Sequence, residues 1–322
     1  MKKVLIIGAG QLGSRYLQGL SGVDYPLNVF LVDPLKSALD VAVERFSTTS
    51  PKNFIQLTSL HTIEELPIEI DLAIVTTTAN VRLKVIQDLV CRKQVKNWIL
   101  EKILFQNILE YEIAEQLFKT QYSKQWVNCA QRVWPFFIEL KKHFSNDPDL
   151  LILATGSNWG LGCNAVHNTD LAEFLWGSEL HHAARFDDVV QQSKRPGFLE
   201  FTGSFETHAR GGGLLRQASY SQGNRPFGFS VIHPLFHKIW NLSAGKLFES
   251  SESTEWKWVE REMVAPLQSE ITSQIVTAIF EGKKCGLPSF ESSVSLHRET
   301  LQTLLDAARH SGHDFGKVCP VT

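Results

Sequence analysis

No two of the five cysteines (Cys91, Cys129, Cys163, Cys285, Cys319) lie close together in the sequence, and their number is odd. A disulfide framework or a zinc site built from paired cysteines is therefore not expected. Long apolar runs are missing as well. The opening MKKVLIIGAG holds a short apolar stretch, but glycines interrupt it well before a secretory core or a membrane span can form. The expectation is a cytoplasmic protein with no membrane partner. Charge of one sign is equally scarce: 32 Lys and Arg against 34 Asp and Glu leave a formal net charge of -2. Nucleic acids and acidic membranes are met by concentrated basic fields, so no nucleic-acid partner is expected and a small-molecule ligand suits the balance better. The chain also lacks G-x-x-x-x-G-K, H-E-x-x-H and G-x-S-x-G, which sets aside P-loop, zinc-peptidase and serine-hydrolase chemistry. No metal is expected.

What is present is enough material for two cores. The 322 residues, 43% hydrophobic and 20% charged, exceed what one core usually organises and have the make-up of an ordinary globular chain. Residues 4–7 form a continuous apolar run, the pattern of a strand buried on both faces, and lead into Gly8-Ala9-Gly10-Gln11-Leu12-Gly13. In G-x-G-x-x-G the first glycine permits a tight turn, the second lets backbone approach a pyrophosphate, and the third lets the next helix pack on the strand. That helix, predicted over residues 12–20, directs the amides of its N-terminus, around Gln11 and Leu12, at phosphates. The prediction is a doubly wound parallel α/β domain that binds a nicotinamide dinucleotide, over residues 1–125.

A second strand, residues 27–32, ends in Asp33, near the spacing expected for an acid that accepts the ribose hydroxyls. Its carboxylate repels a 2′-phosphate, which favours NAD over NADP, although Lys36 nearby leaves room for both. The alternative is that Asp33 opens the turn at Asp33-Pro34. A strand at residues 54–57, a short helix at 62–66 and a buried strand at 71–76 continue the alternation. The last of these ends in Thr76-Thr77-Thr78-Ala79-Asn80. Ligands of such sheets sit beyond the carboxyl ends of the strands, so Thr76, Thr77, Thr78 and Asn80 are candidate cofactor contacts. Thr78 or Asn80 can equally cap the helix running through Val85 and Leu89.

A fifth strand, residues 98–100, is followed by Glu101-Lys102-Ile103. Here the order of motifs resembles the glucose–fructose oxidoreductase, inositol dehydrogenase and MocA family, whose members follow this strand with Glu-Lys-Pro, often with a cis peptide before the proline. Isoleucine replaces that proline here, so the local backbone shape is left open. Glu101 and Lys102 join the candidate cofactor residues. A partly desolvated ammonium beside a nicotinamide can hold a substrate hydroxyl and favour its deprotonation. The other fate of Lys102 is that of an ordinary surface lysine.

A helix over residues 108–122 and a strand over 126–130 precede Gln131-Arg132-Val133-Trp134-Pro135, which looks like the family segment that closes the nucleotide domain. Arg132 is expected either to face the ligand cleft or to pair with a surface acid. Beyond it, alternating strands at 151–154, 180–186, 197–207 and 214–219 predict a mostly antiparallel open sheet with a few helices over residues 126–322. The resemblance implies that such a sheet serves substrate binding and contacts in a homo-dimer or homo-tetramer. A last helix, residues 289–309, has Val294, Leu301, Leu304 and Leu305 at core spacing.

The segment Cys163-Asn164-Ala165-Val166-His167-Asn168-Thr169-Asp170 looks like the family helix Asp-x-Gly-x-His-x-x-Asp. His167 matches the histidine and Asp170 the later acid, while Cys163 stands at the first acid position and Ala165 at the glycine. On a helix the three share one face. A carboxylate there raises the basicity of His167, which titrates where an alcohol proton is traded at neutral pH. Either Asp170 or Asn164 compensates for the absent first acid, or the reaction differs from simple alcohol oxidation; the remaining alternative is a structural histidine. Arg210, in His208-Ala209-Arg210-Gly211-Gly212-Gly213, is a candidate substrate contact, or part of a flexible hairpin.

These readings converge on an NAD-dependent oxidoreductase acting on a hydroxyl or carbonyl of a sugar, cyclitol or nucleotide sugar, in a setting such as surface-polysaccharide sugar biosynthesis. Lys102, His167 and Asp170 are the catalytic candidates. A glycosidase that retains NAD and a non-catalytic metabolite sensor of the same fold remain the alternatives.

Overall fold

The computed structural model describes residues 1–177, 179–193 and 195–322. The chain forms two compact units. Met1–Phe105, Leu109–Ala130 and Pro266–Val294 make the first; Gln106–Ile108, Gln131–Ala265 and Ser295–Thr322 make the second.

The first unit runs β1 (Lys2–Ile7), α1 (Gln11–Leu20), β2 (Leu27–Val32), α2 (Lys36–Ser47), β3 (Ile55–Leu60), β4 (Glu69–Ile70), β5 (Leu72–Val75), α3 (Ala79–Arg92), β6 (Gln94–Val95), β7 (Asn97–Leu100), α4 (Ile108–Lys119) and β8 (Lys124–Val127). Its main sheet is ordered β3-β2-β1-β5-β7-β8 and every pairing in it is parallel. This is the predicted doubly wound sheet, with the strand order reversing beside β1. Val4, Leu5 and Ile6 have no exposure at all, as a strand covered on both faces requires.

Two local expectations are corrected. Residues 62–66 form turns and no helix; Pro67 follows at once, and five residues cannot offset the cost of nucleating a helix. The sequence reading also left out α2, the crossover from β2 to β3, whose buried stripe of Leu39, Ala42 and Phe46 is masked in the sequence by the exposed Leu35 and Val41.

The second unit opens with a 3-10 turn, Ala130–Val133, then α5 (Pro135–Phe144), β9 (Leu151–Ser157) and α6 (Leu161–Trp176). Seven strands follow: β10 (Leu180–Gln192), β11 (Leu199–Ala209), β12 (Leu214–Tyr220), β13 (Gly228–His233), β14 (Phe236–Asn241), β15 (Lys246–Ser251) and β16 (Val259–Glu262). With β9 they build an eight-stranded sheet, β10-β11-β12-β9-β13-β14-β15-β16, antiparallel except where β12 meets β9. One face is covered by α5 and α6 through Phe137, Leu171, Leu175, Leu215, Phe229 and Trp240, all fully or almost fully buried. The expected antiparallel sheet is present and is longer than the sequence pattern indicated, since β13 to β16 alternate less clearly.

Two late helices complete the chain, α7 (Gln268–Phe280) and α8 (Phe290–His310). Val294, Leu301, Leu304 and Leu305 of α8 are buried, as their spacing required. Whereas the sequence reading placed a single boundary after residue 125, β8 pairs with β7 and α7 packs on α1, so residues 124–130 and 266–294 lie with the first unit. The α1–α7 approach is close: a Cβ on Gly19 would fall 2.6 Å from Ser269 O and from Thr272 Cβ. Gly19→Ala is expected to lower stability by about 1–3 kcal/mol through overpacking, although alanine is the better helix former; urea unfolding midpoints measure this.

Candidate active site

The glycine turn after β1 is shaped first by the protein's own packing. Gly8 has φ +100°, and a Cβ on Gly13 would stand 1.8 Å from Gly8 O. Neither position accepts a side chain. Thr76 braces this turn from the end of β5, its hydroxyl donating to Gly8 O at 2.6 Å. Gly10 differs. Its φ of -63° is ordinary and an added Cβ would meet nothing within 4 Å, so no protein contact requires glycine there. The gap lies at the start of α1, whose first turn has no acidic side chain and whose leading amides lack helical acceptors. In the loop after β5, Thr77 Oγ1 is buried without a hydrogen-bond partner. Open space at Gly10 and leading amides without helical acceptors suit an anionic group with acceptor oxygens, as the diphosphate of a dinucleotide has.

The neighbouring candidates are arranged as follows. Asp33 accepts from Ala9 N at 2.7 Å and from Leu35 N at 2.9 Å. It therefore both ties β2 to the glycine turn and opens the turn after β2. Thr78 occupies the N-cap position of α3 but makes no side-chain capping bond, and exposed Asn80 lies within the helix, so neither serves as the cap that the sequence allowed.

At the end of β7, Glu101 continues the sheet by donating its amide to Val75 O. Its side chain is 3% exposed and turns into the protein, where Oε1 accepts from Tyr16 Oη at 2.9 Å and Asn128 Nδ2 at 2.7 Å. Asn128 in turn donates to Gln268 of the segment carrying α7. Burial pushes the Glu101 carboxyl above the usual carboxylate range, against the pull of Arg82 and the two donors; burial and Glu101 together push the Tyr16 phenol well up. Glu101 thus supports the sheet edge from inside. Lys102, half-buried, follows it, and the Lys102–Ile103 peptide is cis, the shape that isoleucine left open in the sequence.

Arg82 was missed by sequence reading. It is 2% exposed and its guanidinium donates to the carbonyls of Thr77, Ile103 and Leu104, joining the loop after β5 to the loop after β7. The signal was its place at helical spacing with Ala79, Ile86 and Leu89 on the buried stripe of α3, a position where a cation needs fixed acceptors.

In the second unit, α6 carries Cys163, Asn164, His167 and Asp170. Glu200 of β11 caps the helix from outside, accepting from Gly162 N at 2.9 Å and Cys163 N at 3.2 Å. Asn164 donates to Trp159 O at 3.2 Å, and His167 is half-buried one turn further on. Asp170 has no exposure and is held by Arg132 through a two-pronged contact, Nε to Oδ2 at 2.6 Å and Nη2 to Oδ1 at 2.7 Å; Glu173 joins at 2.5 Å. Of the two alternatives the sequence left for Arg132, the cleft or a surface acid, the pairing alternative is corrected in its partner, since the main acid it holds, Asp170, is buried. Alongside, Gln131 donates to Asn168, and Asn168 to Gln217, in a buried amide chain. The turn leading into this unit is fastened to α6 at two neighbouring points.

Arg210 is not brought to this group. It lies in the β11–β12 hairpin, pairs with exposed Glu179 at 2.9 Å, and its neighbour Gly213 abuts Trp176, a Cβ there falling 2.3 Å from the indole. Trp176 closes α6, a helix of 16 residues and so about 24 Å long, whereas Asn164 sits near its start. Among the described residues no group of three or more His, Cys, Asp or Glu side chains is placed to hold a metal, and no helix is long and apolar enough to cross a membrane.

No protein-family model and no curated protein matches the chain. Solved structures do match. A UDP-N-acetylglucosamine 3-dehydrogenase from Acidithiobacillus ferrooxidans superposes with TM-score 0.71 at 13% identity, covering 96% of this chain and 98% of that one. An oxidoreductase from Agrobacterium radiobacter, solved with NAD+, L-tartaric acid and magnesium, gives 0.71 at 12% identity, with 96% and 97% covered. GenD2 from gentamicin A biosynthesis, solved with NAD, gives 0.70 at 14% identity, with 96% and 94% covered. The chain has the fold of these oxidoreductases over nearly its whole length, which bears out the fold expected from the family resemblance.

Two outcomes follow from the buried charges. Because the Glu101 carboxyl is raised by burial, the folded state holds a proton that the unfolded chain gives up, so this group's contribution to stability falls as pH rises from the ordinary glutamate range through the raised value. Glu101→Gln keeps an acceptor for Tyr16 and Asn128 and is expected to flatten that part of the stability–pH curve, followed by chemical denaturation across pH. Arg132→Ala leaves Asp170 buried without its cation and is expected to cost about 3–5 kcal/mol, read from the same unfolding curves at neutral pH.

Proposed function

We propose that the protein is an NAD-dependent oxidoreductase of the glucose–fructose oxidoreductase, inositol dehydrogenase and MocA type, acting on a secondary hydroxyl or the matching carbonyl of a carbohydrate-like substrate. The observation that carries the reading is the open space at Gly10 before the leading amides of α1, at the carboxyl edge of a parallel sheet that ends in Asp33, Thr76 and Lys102. Asp33 favours NAD over NADP, since its carboxylate sits where a 2′-phosphate would bring further negative charge. NAD, when bound, supplies the hydride acceptor.

Lys102 binds and polarises the substrate oxygen, and His167 exchanges its proton. Arg132 holds Asp170 in a fork, so the α6 acid acts chiefly by fixing the helix that presents His167. Asn164 is kept as a substrate contact; Arg210, paired with Glu179 at the other end of α6, is given none. The half-exposed sheet face opposite α5 and α6 is proposed as the contact of a homo-dimer or homo-tetramer. The setting is the cytosol, which the five free cysteines support. Synthesis of surface-polysaccharide sugars is the biosynthetic context proposed, with the dehydrogenase of a nucleotide sugar among the similar structures as support.

The test is a panel of sugars, cyclitols and nucleotide sugars added to protein and NAD or NADH, with nicotinamide absorbance followed. One substrate is expected to change the absorbance, and Lys102→Ala to abolish the change while calorimetry still detects NADH. Binding without turnover across the panel would favour a sensor, and hydrolysis of a glycoside with no net NADH would favour the NAD-retaining glycosidase.

A further inference from the structure

The chain enters the protein interior directly after Lys102. Ile103 is 1% exposed, and Leu104 and Phe105 have no exposure, so their carbonyls are out of reach of water and each needs a donor from the protein. Tyr111 Oη donates to Phe105 O at 3.1 Å. The carbonyls of Ile103 and Leu104 are both met by Nη1 of Arg82, the second at 2.8 Å. Nη2 of the same guanidinium donates to Thr77 O. One side chain therefore spans two loops, the one after β5 and the one after β7, and half-buried Lys102 immediately precedes the run that it grips.

Packing alone does not call for an arginine here. Arg82 lies on the stripe of α3 that is otherwise made of Ala79, Leu83, Ile86 and Leu89, and a guanidinium that is 2% exposed is tolerated only where fixed acceptors meet its charge. An aliphatic side chain would continue the stripe and leave three carbonyls without this donor. A planar fork with separate nitrogens can serve two loops at once, whereas the single ammonium of lysine serves one. The guanidinium also acts on the residue before Lys102: burial raises the Glu101 carboxyl, and Arg82 and Lys102 both oppose that rise.

We propose that Arg82 is a positioning residue for Lys102: its guanidinium fixes the loop after β7 against the loop after β5, and so sets where the Lys102 ammonium meets the substrate oxygen. The inference rests on the reading above of Lys102 as the group that binds that oxygen. Arg82 acts through backbone carbonyls and needs no contact with substrate, so its loss is felt in the chemical step more than in cofactor affinity.

Arg82→Gln and Arg82→Lys are compared with the unaltered protein and with Ile86→Val, which trims the same buried stripe one turn along and alters no hydrogen-bonding group. Three quantities are read: kcat with the substrate found in the panel above, NADH affinity by calorimetry, and the pH profile of Lys102 labelling by an amine-reactive ester, resolved by peptide mass spectrometry. For Arg82→Gln the expected kcat is about a hundredfold lower, the scale of a reacting group displaced by about 1 Å, with NADH affinity reduced far less. Arg82→Lys recovers part of kcat. Both variants shift the labelling profile of Lys102, and Ile86→Val leaves all three quantities near their original values. Should Arg82→Gln fail to fold, Arg82→Lys alone carries the comparison. Unchanged kcat in the variant so tested overturns the proposal even where the melting temperature drops, because Arg82 then only fastens the core. Equal losses of kcat and NADH affinity, or equal losses in Ile86→Val, overturn it as a general loosening. If the unaltered protein turns over no member of the panel, the oxidoreductase reading has failed; the labelling profile then tests Arg82 separately, a shift supporting its hold on Lys102 and an unshifted profile overturning it.

Discussion

Between Gly13 and the carbonyl of Gly8 there is room for a hydrogen atom and for nothing larger, since a Cβ would stand 1.8 Å from that oxygen. The first unit is organised around this contact. It allows α1 to begin immediately after β1, so that the amides of its first turn open at the carboxyl edge of the sheet. Thr76, one strand away, locks the same carbonyl with its hydroxyl, and Asp33, on the opposite neighbouring strand, holds the amide of Ala9. The turn is thus fixed from both sides by residues that terminate strands of the sheet. Gly10 alone in the motif is released from packing duty, an added Cβ there meeting nothing within 4 Å.

Buried charge does the fastening further out. Arg82 satisfies three backbone carbonyls that turns after strands would otherwise expose without partners, and so holds together the two loops that carry Thr77 and Lys102. Glu101 occupies the interior side of the same edge, with Tyr16 and Asn128 donating to it. In the second unit Arg132 and Asp170 play the corresponding part for α6. A surface ion pair is worth little, but a fork onto a fully buried carboxylate fixes geometry, because removing the guanidinium leaves that carboxylate buried without its cation. The residues with proposed chemical roles, Lys102 and His167, are held by such groups and are themselves less buried.

Low identity alongside nearly complete structural coverage has a physical reading. At 12–14% identity, few side chains are shared with the oxidoreductases of like fold, yet the folds superpose with TM-scores of 0.70–0.71. A parallel sheet needs only apolar runs of suitable length and room at its turns, and many sequences provide both. Where the sequence departs from the motifs it resembles, at Ile103 and Cys163, neighbouring groups define the local structure: the Ile103 carbonyl accepts from Arg82, and Glu200 of β11 accepts from the leading amides of α6.

The sequence by itself determined the glycine turn, the succession of the parallel strands along the chain, the acid at the end of β2, the lysine after β7 and the core stripe of α8. All of these depend on residues near one another in the chain, where spacing and steric room are legible. Tertiary structure alone decided which charged groups face inward. Local spacing does not name the distant partners of Arg82, Glu101 and Arg132, which include groups 21, 85 and 38 positions away. It also decided that residues 266–294 belong with the first unit, and that Arg210 is spent on Glu179. Contacts of that kind arise when distant segments are packed together, and periodicity, a local property, carries no information about them.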